Sequence, residues 1–189
     1  MSGSESEPTV LVVDDEPEVA DAYGMRLELE YEVETAYGGS EALETVDESV
    51  DVLLLDRRMP EVSGDEVLEE VRSADLGVRV IMVTAVTPDF DVMEMPFDDY
   101  LCKPVERDAL YDAIDQQLEA AKYQDAVSEY FSITAKQSIL EEDKSPAELE
   151  RNEEYQKLEA RADELRERMD DSLDEFDDLN VAFKDIDRV

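Results

Sequence analysis

Three short apolar runs restrict the folds open to this chain. VLVV begins at Val10, VLLL at Val52 and VIMV at Val80. A strand with no polar alternation is typical of a parallel sheet that helices cover on both faces. Segments with helical spacing separate the runs along the chain. The sequence therefore predicts an α/β fold, a doubly wound parallel sheet.

Further segments complete a five-stranded sheet. Alternating residues 32–36 predict a second strand, and residues 100–102 a brief fifth one. Helices are predicted over residues 17–30, with Leu29 inward, and from a cap at Ser40 to Val46. A third helix is predicted over residues 65–72, closed by Leu76 and Gly77, and a fourth from Asp108 onward. Residues 88–99 lack a clear pattern, so the helix expected between the last two strands is short or irregular.

The last third of the chain is helical and charged. A first helix should continue to Leu140, and Ser145, Pro146 and Glu148 form a capping box that starts a second one. The apolar seam of the second helix is Tyr155, Leu158, Ala162, Leu165, Met169, Leu173 and Phe176, and the first helix carries Leu110, Ala113, Ile114, Leu118, Ala121 and Val127. Two seamed helices with a turn near residues 142–146 predict an antiparallel hairpin. The competing arrangement is an intermolecular coiled coil, which would make the chain a homodimer.

The charge balance limits the possible partners. The chain has 54 acidic and 17 basic residues, a net charge of -37. It repels nucleic-acid phosphates and anionic membrane surfaces, and residues 107–189 alone hold 25 acidic and 11 basic residues, which disfavours direct DNA binding. Because the apolar runs are intact, we interpret the charge as that of a folded protein built for concentrated salt, which screens the repulsion.

Other absences narrow the function. A single cysteine, Cys102, excludes an intrachain disulfide, and the lack of histidine excludes zinc sites and catalytic triads that use histidine. No apolar run approaches the ~20 residues that span a bilayer. Residues 1–8 are polar and acidic, unlike a signal peptide, and are expected to form a disordered leader. These features predict a cytoplasmic protein.

Carboxylates follow two of the predicted strands. Asp14 and Asp15 close the first strand, and Asp56 closes the third. These strand ends are neighbours in a doubly wound sheet, so three carboxylates should meet at one edge. A cation must neutralise such a cluster, and oxygen ligands suit Mg²⁺. For Asp14 and Asp15 alone, solvated carboxylates remain an alternative, because Asp-Asp pairs recur in this acidic chain.

Two more residues should project onto the same edge. Thr84 ends the fourth strand and Lys103 follows the fifth. Each could be an ordinary surface residue by itself. A hydroxyl and an ammonium beside a carboxylate cluster are, however, what an added phosphoryl group needs for its oxygens. The strand ends together predict a site that accepts a phosphoryl group.

The motifs VLVVDDEP, DVLLLDRRMPEVSG, VIMVTA and DYLCKP, in this order, resemble the receiver domain of two-component response regulators. The resemblance covers residues 9–121. It implies that Asp56 is the phosphoacceptor, and that Asp14, Asp15, Asp56 and the backbone carbonyl of Arg58 hold Mg²⁺. The phosphoryl donor would be a phosphohistidine on a partner histidine kinase.

The resemblance also implies roles for surrounding residues. Lys103 and Thr84 would stabilise the phosphoryl group, and Thr84 and Tyr100 would form a switch pair in which Tyr100 turns inward after phosphorylation. Pro60, Gly64 and Pro104 would be structural, with Lys103–Pro104 as a cis peptide bond. The implied function is to change contacts with a downstream protein, with transcriptional control as a candidate output and no independent enzymatic turnover.

The sequence departs from the receiver pattern in two places. Thr84 and Lys103 are closer together than in most receivers, and the missing length falls in residues 87–99. Arg57 and Arg58 follow the acceptor, either as ordinary surface charges or, for Arg58, as a control on the access of water to the acyl phosphate. Two alternative functions are a phosphatase with an aspartyl nucleophile, which needs an acid where Arg58 stands, and an interaction module with a degenerate receiver.

The final segment also resembles a known family. EYFSITAKQSILEEDKSPAELERNEEYQKLEARADELRERMD is similar to the HalX extension found behind receivers in halophilic archaea. Residues 122–189 are accordingly expected to form a HalX-like helical extension, which agrees with the acidic composition.

Overall fold

The computed structural model describes residues 7–185, with side chains for residues 7–172. Most of the predicted leader, residues 1–6, lies outside the described residues. The strands are β1 (Thr9–Val13), β2 (Glu32–Ala36), β3 (Val52–Leu55), β4 (Arg79–Thr84) and β5 (Asp99–Cys102). The helices are α1 (Pro17–Leu27), α2 (Gly39–Thr45), α3 (Gly64–Ser73), α4 (Arg107–Asp143), α5 (Pro146–Leu149) and α6 (Glu153–Asp185). Contacts divide the chain into two units after Leu118.

The first unit contains a five-stranded parallel sheet in the order β2-β1-β3-β4-β5. In the register of the sheet, Val13 lies opposite both Ala36 and Leu55, and Thr84 lies opposite Cys102. The carboxyl ends of the strands therefore reach the same edge. This topology confirms the predicted doubly wound sheet.

Alternate residues of each strand face opposite sides of the sheet and enter two separate cores. Val10 and Val12 pack with α1 and the first turns of α4, whereas Leu11 and Val13 pack with α2 and α3. These four residues of β1 are buried, as are residues 52–55 of β3 and residues 80–84 of β4. Burial on both faces explains why these strands read as unbroken apolar runs.

The boundaries of α1 and α2 differ from the prediction. Helix α1 ends at Leu27, and Leu29 is 75% exposed instead of inward. Helix α2 begins at Gly39 after Gly38, so Ser40 lies inside the helix and does not cap it. Gly38 has a φ of 148°, a conformation that a residue without Cβ adopts easily, and the chain turns there before the predicted cap.

Helix α3 has a start signal that the prediction missed. The Ser63 hydroxyl accepts a hydrogen bond from the Glu66 N–H at 3.3 Å, and the Glu66 carboxylate accepts one from the Ser63 N–H at 2.9 Å. This capping box begins the helix at Gly64. The helix ends at Ser73, one residue beyond the predicted Arg72, and Asp75, which has a φ of 54° in the left-handed region, closes it in place of Leu76 and Gly77.

The connection between β4 and β5 contains no α-helix. A 3-10 helix, Phe90–Glu94, stands in its place. This finding confirms that the fourth helix is short and irregular. Its residues contribute little to the core, since Val92 is only partly buried and Phe90 is 84% exposed.

The second unit is an antiparallel helical hairpin formed within the chain. Its apolar cluster contains the buried residues Ala126, Ile133, Ala162 and Leu165, and Leu149 and Tyr155 are buried as well. Arg161 donates two hydrogen bonds to the Glu129 carboxylate at 2.8 and 2.7 Å, and the Tyr155 hydroxyl donates to Glu141 at 2.7 Å. The predicted inward residue Val127 is only partly buried, while its neighbour Ala126 is buried. Leu173 and Phe176 lie outside the residues whose side chains are described.

The second helix of the hairpin begins later than predicted. The capping box of Ser145 and Glu148 is present, but it starts a single turn that ends at Leu149. A new start follows, because the Asn152 side chain accepts hydrogen bonds from the N–H groups of Glu154 and Tyr155, both at 3.0 Å. No helix within residues 7–185 has the length and apolarity needed to cross a membrane.

Candidate functional site

Three carboxylates meet at the carboxyl edge of the sheet. The Asp14 N–H donates to the Ala36 carbonyl at 3.2 Å, and the Asp56 N–H donates to the Val13 carbonyl at 2.9 Å. These bonds extend the strand pairing by one residue and hold both side chains at the edge. Carboxylate oxygens of Asp14, Asp15 and Asp56 all lie within 4.8 Å of one another. The structure thus brings together the predicted acids, with Asp14 and Asp56 buried.

Lys103 lies against this cluster. Its N–H donates to the Thr84 carbonyl at 2.9 Å, which continues the pairing of β5 with β4. The Lys103 ammonium is 2.5 Å from Asp14 Oδ2 and 3.4 Å from Asp56 Oδ1. The peptide bond to Pro104 is cis. The side chain is 16% exposed, so this ion pair is largely shielded from water.

The surroundings shift two pKa values in the cluster. Burial raises the pKa of Asp56, Asp14 adds to that effect, and the opposing effects of Lys103 and a Thr84 hydrogen bond are smaller. For Lys103, burial alone would lower the pKa, but the hydrogen bond to Asp14 and the charges of Asp56 and Asp14 raise it. Lys103 therefore remains an ammonium at neutral pH.

The charge of the cluster fits a divalent cation. Three ionised carboxylates and one ammonium leave a net charge of about -2 in a mostly buried space, which is unfavourable without a counterion. The donors on offer are oxygen atoms alone, and Mg²⁺ binds through one or two carboxylates and retained waters. Asp14, Asp15 and Asp56 would hold the ion. A contribution from the Arg58 carbonyl remains a prediction.

The proposed switch pair lies beside the acceptor. Thr84 is 1% exposed, and its hydroxyl accepts a hydrogen bond from the Val86 N–H at 3.3 Å. Tyr100 is buried: its hydroxyl donates to the Val86 carbonyl at 2.7 Å, and its ring centroid is 5.5 Å from that of Phe97. The Tyr100 side chain lies inward in this structure. The predicted inward turn after phosphorylation is untested.

The loop after Asp56 packs tightly against the acceptor. A Cβ atom at Gly64 would lie 2.2 Å from the Asp56 carbonyl oxygen and 2.9 Å from the Arg57 Cα. The Gly64 N–H donates to the Arg57 carbonyl at 2.9 Å. Only glycine allows this approach, so Gly64 has a steric role. Pro60 is exposed in the same loop.

Arg57 is a neighbour of the acceptor whose contacts the sequence did not reveal. Its Nε is 3.0 Å from Asp65 Oδ1 on α3, and its guanidinium also pairs with Asp91 of the 3-10 helix. Arg57 is therefore a partly buried bridge and not an ordinary surface charge. Arg58 is exposed. No spacing rule marks Asp65 or Asp91 as partners in a chain with this many carboxylates.

Comparison with known proteins places this fold and site in a family. Residues 10–115 match the family model of the response regulator receiver domain, and residues 119–186 match that of the HalX domain. The chain belongs to the response regulator receiver family and carries a HalX domain behind the receiver.

Relatives and solved structures agree with this assignment. A protein of Haloferax volcanii named "Putative transcriptional regulator" is 41% identical over 97% of this chain and 33% of its own length. A CheY-like receiver domain from Methanospirillum hungatei is 29% identical, with a TM-score of 0.59 over 63% of this chain and 99% of its own. The response regulator TrrA of Thermotoga maritima, solved in complex with Mg²⁺-BeF, is 33% identical, with a TM-score of 0.54 over 59% of this chain and 99% of its own. This chain spans less than half the length of the curated relatives it matches.

Proposed function

We propose that this protein is the phosphoacceptor of a two-component phosphorelay and that Asp56 takes the phosphoryl group. The observation that carries the proposal is the position of the Lys103 ammonium, which contacts both Asp14 and Asp56 at the edge of the three-carboxylate cluster. This arrangement offers a nucleophile, a cation for the transferred group and ligands for Mg²⁺ in one place. The solved complex of TrrA with Mg²⁺-BeF supports the choice of metal.

The transfer follows from this geometry. An oxygen of the Asp56 carboxylate attacks the phosphorus atom in line, and the bond from phosphorus to the donor nitrogen breaks, leaving its electron pair on that nitrogen. Lys103 and the Thr84 hydroxyl then pair with oxygens of the phosphoryl group. Bound Mg²⁺ would supply neutralisation of the negative charge that the acids and the phosphoryl oxygens share.

We propose that the phosphoryl donor is a phosphohistidine of a partner kinase, because these 189 residues contain no histidine, and we place both proteins in the cytoplasm. The output we propose is a change in protein contacts, because the acidic extension is unsuited to bind DNA directly. The name of the Haloferax volcanii relative makes transcription a candidate target. We expect no turnover beyond the protein's own phosphorylation, since the exposed cation Arg58 occupies the position where an aspartyl phosphatase needs an acid.

The test is to label the full chain with acetyl phosphate and Mg²⁺ in concentrated KCl. Asp56→Asn should lose the label, because an amide is not a nucleophile for this transfer. Asp51→Asn is the matched control: Asp51 stands next to the other end of β3, where it accepts a hydrogen bond from Thr9. The control should label like the wild type.

The chemistry of the label adds a second check. An acyl phosphate is released by hydroxylamine, whereas a phosphate ester of serine or threonine is not. Omission of Mg²⁺ should abolish labelling. Retained labelling in Asp56→Asn, or a label that resists hydroxylamine, would contradict the assignment of Asp56.

A further inference from the structure

The distribution of cations in the receiver points to the connection between β4 and β5. Residues 1–106 contain six basic side chains against 29 acidic ones. Three of the six, Arg57, Arg72 and Arg79, form ion pairs with carboxylates of residues 85–98, here named the β4–β5 segment. Cations are scarce in this chain, and three of the six in residues 1–106 hold the segment that replaces a helix.

The end of the β4–β5 segment is held through Asp98. Its carboxylate is 2.6 Å from Arg72 Nη2 and 3.1 Å from Arg79 Nη1, and it accepts a hydrogen bond from the Val80 N–H at 2.7 Å. Arg72 also donates to the Pro96 carbonyl at 2.7 Å. This end of the segment is therefore attached to both α3 and β4.

The middle of the segment is held by Arg57. The Arg57 side chain is 13% exposed and lies between Asp65, which is 45% exposed, and Asp91, which is 51% exposed. Of the apolar residues in this 3-10 helix, Val92 packs against the core, whereas Phe90 and Met93 are 84% and 79% exposed. An α-helix would bury a wider apolar face against the sheet, and here the ion pair of Arg57 with Asp91 adds a polar attachment to the packing of Val92.

We propose that Arg57 couples the acceptor to the β4–β5 segment through its ion pair with Asp91, which we name the Arg57 clasp. Arg57 follows Asp56 directly in the chain, and it fixes the 3-10 helix through Asp91. Phosphorylation would replace the single negative charge of the Asp56 carboxylate with about 1.5–2 negative charges on the phosphoryl group, and this net gain of roughly 0.5–1 charge one residue away would attract the guanidinium and repel Asp91. The expected result is a looser segment and a changed presentation of Phe90 and Met93. This second step rests on the proposed phosphorylation of Asp56, whereas the clasp itself does not.

Hydrogen exchange of the full chain, read by mass spectrometry over residues 85–98 in concentrated KCl, tests the clasp. Arg57→Gln should speed exchange of this segment roughly two- to tenfold, because the segment loses its charge-assisted bonds in the middle. Asp91→Asn should have a similar effect and serves as the second variant should Arg57→Gln fold poorly. Arg58→Gln is the control, since it removes the neighbouring exposed arginine and should leave exchange of the segment unchanged.

The outcomes separate the two steps. Wild-type exchange rates in both Arg57→Gln and Asp91→Asn would overturn the clasp. A second arm adds acetyl phosphate and Mg²⁺: exchange over residues 85–98 should rise in the wild type and show no further rise in Arg57→Gln. If the wild-type protein is labelled and its exchange over residues 85–98 does not change, the coupling is wrong. If the wild-type protein is not labelled, the proposed function is wrong, and the exchange rates of the two variants without acetyl phosphate still test the clasp.

Discussion

The receiver and the extension differ in how they use the same acidic composition. In the receiver, several ion pairs have a largely buried cation, with Lys103 16%, Arg57 13% and Arg79 17% exposed. In the extension the pairs lie at the surface, where Arg161 is 37% and Lys157 69% exposed. Lys103, Arg57 and Arg79 of the receiver therefore have defined structural partners, whereas most charges of the extension are solvated.

The apolar residues show the same contrast. The receiver has a core on each face of its sheet, while the described part of the hairpin has a single cluster of four buried residues. A parallel sheet brings residues that are distant in sequence to one edge, as it does for Asp14, Asp56 and Lys103. A hairpin pairs residues in a single antiparallel order and offers no comparable convergence. The chemistry is accordingly expected in the receiver, and the extension is expected to act through its surface.

The largest predicted effect comes from removing one buried side chain in each unit. Ile81 in β4 and Leu165 in α6 are both 0% exposed. Ile81→Ala should lower the free energy of unfolding of the receiver by about 4 kcal/mol, because the packed sheet cannot close the cavity. Leu165→Ala should lower that of the hairpin by about 2 kcal/mol, since two helices can relax toward each other.

Urea unfolding provides the measurement. Near-ultraviolet circular dichroism of Tyr100 and its neighbours follows the receiver, and the loss of helicity follows the hairpin. Leu165→Ala should leave the receiver transition in place. A single shared transition that shifts equally in both variants would show that the two units do not unfold separately.

The sequence predicted the strands of the receiver well where helices cover both faces of the sheet. The runs at Val10, Val52 and Val80 identified three strands because no residue in them faces water. The strand-end residues Asp14, Asp56 and Thr84 followed from topology, since parallel strands end at one edge. Roles for the Arg58 carbonyl, Pro60 and the inward turn of Tyr100 rest on family resemblance and stay predictions.

Prediction failed where local geometry decides. Ser40 was a plausible cap, but the chain turns at Gly38, which has a positive φ, and α2 starts two residues earlier. Leu29 looked inward by spacing, yet the helix had already ended. The pairing of Arg57 with Asp91 could not be predicted, because any of 54 acids was a possible partner and only the fold selects one.

An intermediate effect is expected from salt. Residues 9–121 have a net charge of -24 and residues 122–189 one of -11, so the receiver contains more unbalanced charge for its length. Lowering KCl from about 2 M to about 0.2 M should lower the receiver melting temperature by roughly 5–10 °C, because screening weakens. The hairpin transition should shift less. Equal shifts, or none, measured by thermal circular dichroism would contradict this account of the charge.

The smallest effect on the receiver is expected from removing part of the extension. We propose that residues 9–121 form an independent domain, and a chain that ends at Lys144 lacks α5 and α6 but keeps Asp56, Lys103 and the whole sheet. Its initial rate of labelling by acetyl phosphate should stay within about twofold of the full chain, since the site draws all its residues from strand ends of the receiver. A matched chain with Leu165→Ala separates loss of the hairpin from loss of its packing. A truncated protein that folds, by circular dichroism, yet labels many-fold more slowly would show that the extension contributes to the site.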